Sequence, residues 1–218
     1  MRKNWAALAL TGMLCLTTFA GIQTVSAETA DSAKQVDIVF THDTHSHLNT
    51  FTTIVDEAEK EVGGFARINT LIQEQKAKNP DTLVIDGGDF SMGTLIQTVF
   101  ETQAAEIRML GYMGCDVTTL GNHEFDYRSK GLANMLNSAA ESGDDLPAMV
   151  VCNVDWESME AAGLNEGKQL IRDAFDEYGV SDYVVLEKGD TDIAVVGVFG
   201  KDALACACLL YTSDAADD

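Results

Sequence analysis

Histidine is scarce in this chain: four residues in 218, and none after His123. Proline is scarcer, with 2 against 18 glycines, so no proline-rich linker divides the sequence. Internal repeats and low-complexity tracts are absent, which excludes the repeat and fibrous classes. Positive charge is short as well. The 14 Lys and Arg face 35 Asp and Glu, for a formal net charge of −21. That balance repels a nucleic-acid backbone or an anionic membrane unless cations intervene, so nucleic acid is not an expected partner. It also means that an anionic substrate needs a bound metal or a local arginine to enter. Cysteine offers no metal-type spacing. Cys15 lies near the start and Cys206 and Cys208 near the end. Cys115 and Cys152 remain, at the edges of expected strands, where a disulfide and two buried free thiols are both open.

Long apolar runs are missing too, except at the N-terminus. There Arg2 and Lys3 precede an apolar stretch from Trp5 to Ala20, and Val25-Ser26-Ala27 offers small residues for cleavage. This is the layout of a secretory signal peptide spanning residues 1–27. The apolar run is short for a membrane span of about 20 residues, and Cys15 lacks the small preceding residue of a lipoprotein signal. The expectation is a secreted protein, extracellular, cell-wall or periplasmic, with no membrane insertion after cleavage. Cleavage removes 2 of the 14 basic residues and no acidic one, which leaves 12 against 35 and a charge of −23. At 46% hydrophobic and 22% charged residues, the composition is that of an ordinary globular protein with ample core.

Along the body of the chain, apolar runs of strand length alternate with helical periodicity. Val36–Phe40 reads as a buried strand, Gly63–Ala77 as a helix with Phe65, Ile68, Leu71 and Ile72 inward, and Thr82–Ile85 as a second strand. Ala104, Ile107 and Leu110 mark another helix, ended by Gly111 and Gly114, and Val117–Leu120 a third strand. Ser129–Ala140 reads as a helix with Leu132, Met135 and Leu136 inward, then Met149–Cys152 as a fourth strand. The polar stretch from Asp155 to Gly179 is expected to be partly helical, around Gln169–Glu177. Tyr183–Leu186 and Ile193–Val198 flank Lys188-Gly189-Asp190 as a hairpin. Strands alternating with helices define an α/β layered domain whose sheet is largely parallel or mixed.

In such sheets, ligands gather beyond the carboxyl ends of the strands. Asp43 and His45, Asp89, Asn122 and His123, and Asn153 each come directly after an expected strand. An Asp-x-His pair suits a divalent metal of intermediate softness, Zn, Mn or Fe, better than Ca or Mg; a solvated polar loop also accommodates one such pair. In Asp86-Gly87-Gly88-Asp89 the glycines let the backbone approach an ion closely, and they equally suit a plain turn. Asn122 can offer a carbonyl oxygen or occupy a left-handed turn. His123 can be a ligand, a general acid or a loop residue, with Asp126 three residues on to orient its imidazole and raise its pKa. Each motif is weak alone. Their order, each at a strand end, is what gives them weight.

Asp43-x-His45, Gly88-Asp89 and Gly121-Asn122-His123-Glu124 resemble the first three motifs of the calcineurin-like metallophosphoesterases. Gly87-Gly88-Asp89-x-x-x-Gly93, Gly121-Asn122-His123-Glu124-Phe125-Asp126 and Gly63-Gly64-Phe65-Ala66-Arg67 are similar to the secreted branch of 5'-nucleotidases, UDP-sugar hydrolases and 2',3'-cyclic-nucleotide phosphodiesterases. The resemblance runs from about Val36 to Leu204 and implies an α/β/β/α sandwich. It further implies two divalent metal ions, with Asp43 and His45 on one, Asp89 bridging both, and Asn122 on the second. His123 would face the scissile phosphate, positioned by Asp126, and a metal-activated hydroxide would attack phosphorus of a nucleotide or other small phosphoester in line. His47 matches a family position without a firm role, Arg67 would help hold the loop, and His42 and Asn153 have none.

The pattern then stops short. The family completes its site with later histidines, including Gly-His-x-His, and this branch adds a domain that binds the nucleoside base; neither is found here. The family-like pattern fades after Leu204, and the ending Leu209–Asp218 resembles adapter read-through. The expected organisation is residues 28–207 as the N-terminal part of a catalytic domain, incomplete at its C-terminus and inactive as written, with 208–218 a non-native tail. The alternative is a catalytically dead secreted binding or accessory protein on the same scaffold.

Overall fold

A computed structural model describes residues 35–207. The expected signal segment and the 208–218 tail lie outside the described residues. Four strands, β1 (Ile38–Thr41), β4 (Leu83–Asp86), β5 (Val117–Thr118) and β6 (Ala148–Met149), form one parallel sheet in the order β1-β4-β5-β6. Ile38 pairs with Leu83 and Phe40 with Ile85, while Val117 lies between Ile85 and Ala148. Because all four strands run the same way, their carboxyl ends share one edge. The loops that carry the sequence motifs therefore meet there, as the alternation of elements predicts.

The connections are helical. Helix α1 (Phe65–Lys78) starts after Gly63 and Gly64, both at positive φ, and ends with Lys76 and Lys78 near its negative pole. It buries Phe65 and Ile72, whereas Leu71, expected inward, lies exposed on the rim of a shallow groove beside β1. A 3₁₀ turn (Leu95–Val99) and the short α2 (Phe100–Gln103) precede α3 (Ala105–Tyr112). Helix α4 (Arg128–Ala140) turns Leu132, Met135 and Leu136 inward as its spacing predicts. The polar stretch resolves into two helices, α5 (Trp156–Ala162) and α6 (Glu166–Tyr178). Asn165 caps α6 by accepting from the Lys168 N–H, and Gly179 ends it in left-handed backbone. Helices α4 and α6 pack against each other. With Phe90, Phe100, Ile107, Leu110, Met149, Ile171 and Phe175, they enclose one core. A last helix, α7, covers Lys201–Ala207.

Two antiparallel hairpins complete the fold. The first, β2 (Phe51–Val55) with β3 (Ala58–Val62), was not legible in the sequence, and almost all of it is exposed. The second, β7 (Tyr183–Lys188) with β8 (Thr191–Val196), is the expected one. It spans the parallel sheet from end to end. Lys188 Nζ meets Asp116 Oδ1 at 2.8 Å before β5, and the Cys152 N–H donates to Gly197 O at 2.8 Å beyond β6. Gly197 passes so close to Val150 that a Cβ there would lie 1.9 Å from its carbonyl oxygen. The α/β class holds: a parallel sheet, helices, and this hairpin as a separate two-stranded sheet. Cys115 and Cys152 are both free thiols.

Candidate metal centre

The loop after β1 is built as a companion to the loop after β4. The Gly87 N–H donates to Thr41 O, then Asp43, His45 and Ser46 donate to Gly88, Asp89 and Phe90 carbonyls at 3.0, 3.1 and 2.8 Å. Within these two loops Asp43, His45, Ser46, Asp89 and Met92 adopt left-handed backbone. That is unusual for residues with a Cβ and persists only where surrounding bonds over-determine it. The loop after β5 closes the third side. The His123 N–H donates to Asp89 Oδ1 at 2.9 Å, and the backbone of Gly121 lies against Asp89 so closely that a Cβ would fall 2.1 Å from the same oxygen. Glycine at 121 is there because the carboxylate needs the space.

The result is a convergence of donors. One donor atom each of His45, Asp89 and His123 lies within 4.8 Å of the others. Asp43 Oδ1 stands 3.7 Å from His45 Nε2 and its carboxyl adjoins Asp89. The two imidazoles meet edge to face with centroids 4.9 Å apart. His45 Nδ1 lies 3.1 Å from Met92 O; a carbonyl only accepts, so the proton sits on Nδ1 and Nε2 is free to coordinate. His123 Nδ1 is bound to Asp126 Oδ2 at 2.8 Å. That hydrogen bond, outweighing partial burial, holds the imidazole pKa above its ordinary value. The Asp43 carboxyl is held low, chiefly by its hydrogen bond to His42, despite some desolvation. Two imidazoles and a carboxylate form the donor chemistry of a borderline divalent ion such as Zn, Mn or Fe, so the residues fit the metal that the motifs imply.

Of the residues singled out in the sequence, Asp43, His45, Asp89 and His123 are therefore brought together, with Asp126 behind His123. Asn122 heads the 3₁₀ turn His123–Phe125 and its side chain takes no part in capping that turn. His42 contacts Asp43, and His47 turns away, its Nδ1 on Thr44 O and its ring against Phe51. Arg67 clamps the first hairpin to α1 through Glu61 O at 2.8 Å. Asn153 is a structural clasp, exchanging two 2.9 Å bonds with the backbone of Phe199.

Sequence reasoning did not assign the carboxylates beneath these loops. Glu124 is fully buried and accepts from the backbone N–H groups of Asp89, Ser91 and Gly121 and from the Ser91 hydroxyl, at 3.0, 3.0, 2.6 and 2.8 Å. It ties the Asp89 loop to the Asn122–His123 loop, while burial pushes its pKa up to about 7. Asp86 does the same for the strand ends, accepting from Thr41, Thr118 and the Gly88 N–H at 2.7, 3.1 and 3.0 Å. Burial raises its pKa too. The one sequence signal for either is an acidic residue inside a glycine-containing loop directly after a strand.

A parallel sheet whose strand ends gather aspartate and histidine over such a scaffold defines a metal-dependent phosphoesterase fold. Residues 36–200 match the calcineurin-like phosphoesterase family, and the chain belongs to it. Among its relatives, a probable 5'-nucleotidase of Treponema pallidum is 34% identical over 107 residues, 47% of this chain and 18% of that protein. The 5'-nucleotidase of Mus musculus is 36% identical over 110 residues, 49% of this chain and 19% of that one. Among solved structures, a 5'-nucleotidase precursor from Thermus thermophilus superposes with a TM-score of 0.59 at 27% identity, over 77% of this chain and 29% of that one. The chain thus spans less than a third of the length of these proteins. Among the described residues, no helix is long and apolar enough to cross a membrane.

Proposed function

We propose that this chain is the N-terminal portion of a secreted, metal-dependent hydrolase that cleaves phosphoesters of nucleotides, of the 5'-nucleotidase or cyclic-nucleotide phosphodiesterase type. The convergence of His45, Asp89 and His123 at the carboxyl edge of the sheet carries the reading. In it Asp43 and His45 hold one divalent cation, Asp89 is shared between two, and Asn122 serves the second. When bound, such cations polarise phosphoryl oxygens and lower the pKa of water.

The chain's own residues then act on the substrate. His123, with Nδ1 fixed on Asp126, stands in the cluster with His45 and Asp89, and Nε2 is the ring nitrogen left for the substrate. As imidazolium it stabilises negative charge growing on the transferred phosphoryl group or gives a proton to the leaving oxygen. Asp126, bonded at Nδ1, orients the ring and favours the imidazolium form. With 35 acidic residues against 14 basic ones, the protein does little to attract a nucleotide by its overall field, so capture falls to the cations.

The relatives extend far beyond this chain, and no histidine comes after His123. The proposal is therefore that the 218-residue chain turns over little or no substrate, and that the longer parent takes up two divalent ions and releases phosphate from AMP or a cyclic nucleotide. Phosphate release by both proteins, with and without chelator and with His123→Ala, tests it. Efficient chelator-sensitive turnover by the 218-residue chain would overturn the truncation clause. Full activity of the parent after His123→Ala would overturn the mechanism.

A further inference from the structure

Ser46 is completely buried and held in left-handed backbone at φ 54°, directly after His45 at φ 46°. Its N–H donates to Phe90 O at 2.8 Å, and the Thr94 hydroxyl donates to its carbonyl at 2.6 Å. Both ties run to the loop that carries Asp89. A third tie leaves that pair of loops: Ser46 Oγ donates at 2.7 Å to Oε1 of Glu106, in the first turn of α3.

Glu106 is an odd residue to find there. It has no exposed surface, its Oε2 has no hydrogen-bond partner, and the nearby loop contributes a second buried orphan, Thr44 Oγ1. It lies beside Ile107 and Leu110 in a helix whose buried positions are otherwise apolar. Burying a carboxyl with one oxygen unpaired is unfavourable, and a leucine would avoid that cost while filling similar space. What a leucine could not do is accept the Ser46 hydroxyl. That bond acts on His45 through the chain, because Ser46 is the next residue. The backbone conformation of Ser46 sets where the His45 ring starts, and the ring is aimed by its Nδ1–H bond to Met92 O.

We propose that Glu106 is a positioning residue of the metal centre: by holding Ser46, it fixes the left-handed turn that places the His45 ring in the cluster with Asp89 and His123. The inference rests on the reading of His45 as a ligand and adds a residue from an element that carries no metal motif. Glu106 touches neither substrate nor cation. Its role resembles that of the outer-shell partners that orient ligand histidines, whose loss weakens metal binding about 10-fold to 100-fold.

The test uses the 218-residue chain with Glu106→Gln, Glu106→Leu and Ser46→Ala. Glutamine keeps an acceptor for the hydroxyl, leucine removes it at similar volume, and alanine at 46 deletes the donor. Histidine side-chain ¹⁵N shifts in the metal-free protein read the tautomer of His45, assigned by His45→Ala, and calorimetry reads zinc affinity. The expected result is a lost Nδ1–H preference at His45 and roughly tenfold weaker zinc binding in the leucine and alanine variants. Glu106→Gln should match the wild type, and the Asp126-bound signals of His123 should stay in place throughout. Unchanged His45 signals in both disruptive variants would overturn the proposal, as would equal losses in Glu106→Gln and Glu106→Leu. If Glu106→Leu does not fold, Ser46→Ala decides alone. No zinc uptake by the wild type would count against the ligand reading, while the metal-free tautomer measurement would still judge the role of Glu106.

Discussion

At the scale of single residues, the site depends as much on what is missing as on what is present. Gly121 lacks the Cβ that would collide with Asp89 Oδ1 at 2.1 Å. Gly121→Ala should therefore push Asp89 away from His45 and His123 and abolish divalent-metal uptake, while circular dichroism stays that of the wild type. Calorimetry with zinc and manganese would check it, and wild-type affinity would show that the loop yields instead. Asp126 gives the pH dependence. Its hydrogen bond raises the His123 pKa, so Asp126→Asn should lower the imidazole midpoint toward the ordinary value of about 6.5, as read by NMR titration. This shift also sets the sign of the stability effect. A histidine whose pKa is raised by folding contributes stability that is fully present below its unfolded pKa and lost as pH rises through the folded one. The melting-temperature gap between wild type and Asp126→Asn should thus be widest near pH 5 and close above the raised midpoint. It should be small, since both side chains are more than a third exposed and screened by solvent.

At the scale of elements, the parallel sheet and its helices were legible because their signals are local and redundant. Leu132, Met135 and Leu136 repeat at helical spacing, Thr82–Ile85 is a short β-rich run, and Lys188-Gly189-Asp190 is an overt turn. Asp43, His45, Asp89 and His123 were legible for the same reason, each directly following a strand. Glu106, Glu124 and Asp86 were not, because sequence does not say which acidic side chain turns inward to meet a donor 32 to 60 residues away. The β2–β3 hairpin was missed on different grounds. Its turn is Asp56-Glu57, two non-glycine residues at φ 53° and 63°, and β3 reads Ala-Glu-Lys-Glu-Val, a composition typical of helices. What holds it is its antiparallel backbone ladder, from the pair Phe51/Val62 to the pair Val55/Ala58, with the exposed ion pairs Lys60–Asp56 at 3.0 Å and Arg67–Glu61 at 3.5 Å adding little. Glu57→Gly relieves the left-handed strain at the second turn position, and Asp-Gly is a favoured pair for that turn. The expected gain is about 0.5–1 kcal/mol of local stability. It should appear as slower amide exchange at Thr53 and Val55, with the rest of the protein unchanged; faster exchange there would mean that Glu57 makes a contact worth more than the strain.

At the scale of the whole molecule, the helical side of the sheet is closed and the opposite side is partly bare. Ile38 and Phe40 on the edge strand are 55% and 59% exposed, although Leu83, the pairing partner of Ile38, is fully buried. The outward row of the second hairpin, Tyr183, Val185 and Val196, and Val198 just beyond it are 54–65% exposed. Alternation along β7 and β8 therefore places apolar side chains on both faces, the pattern of a strand meant to be covered twice. A surface of this kind tends to self-associate, and the main force opposing it here is the net charge of −21. Salt decides between them. The screening length falls from about 30 Å at 0.01 M to about 3 Å at 1 M, removing long-range repulsion while leaving apolar attraction intact. The 218-residue chain should thus sediment as a monomer at low ionic strength and shift to larger species as sodium chloride is raised. The triple variant Val185→Thr, Val196→Thr, Val198→Thr keeps the β-branched shape and removes apolar surface. It should stay monomeric at every salt concentration, with its melting temperature little changed. A wild-type chain that stays monomeric in 1 M salt would show that the bare face is too small or too divided to associate. A triple variant that still assembles would place the contact on β1 instead, at Ile38 and Phe40.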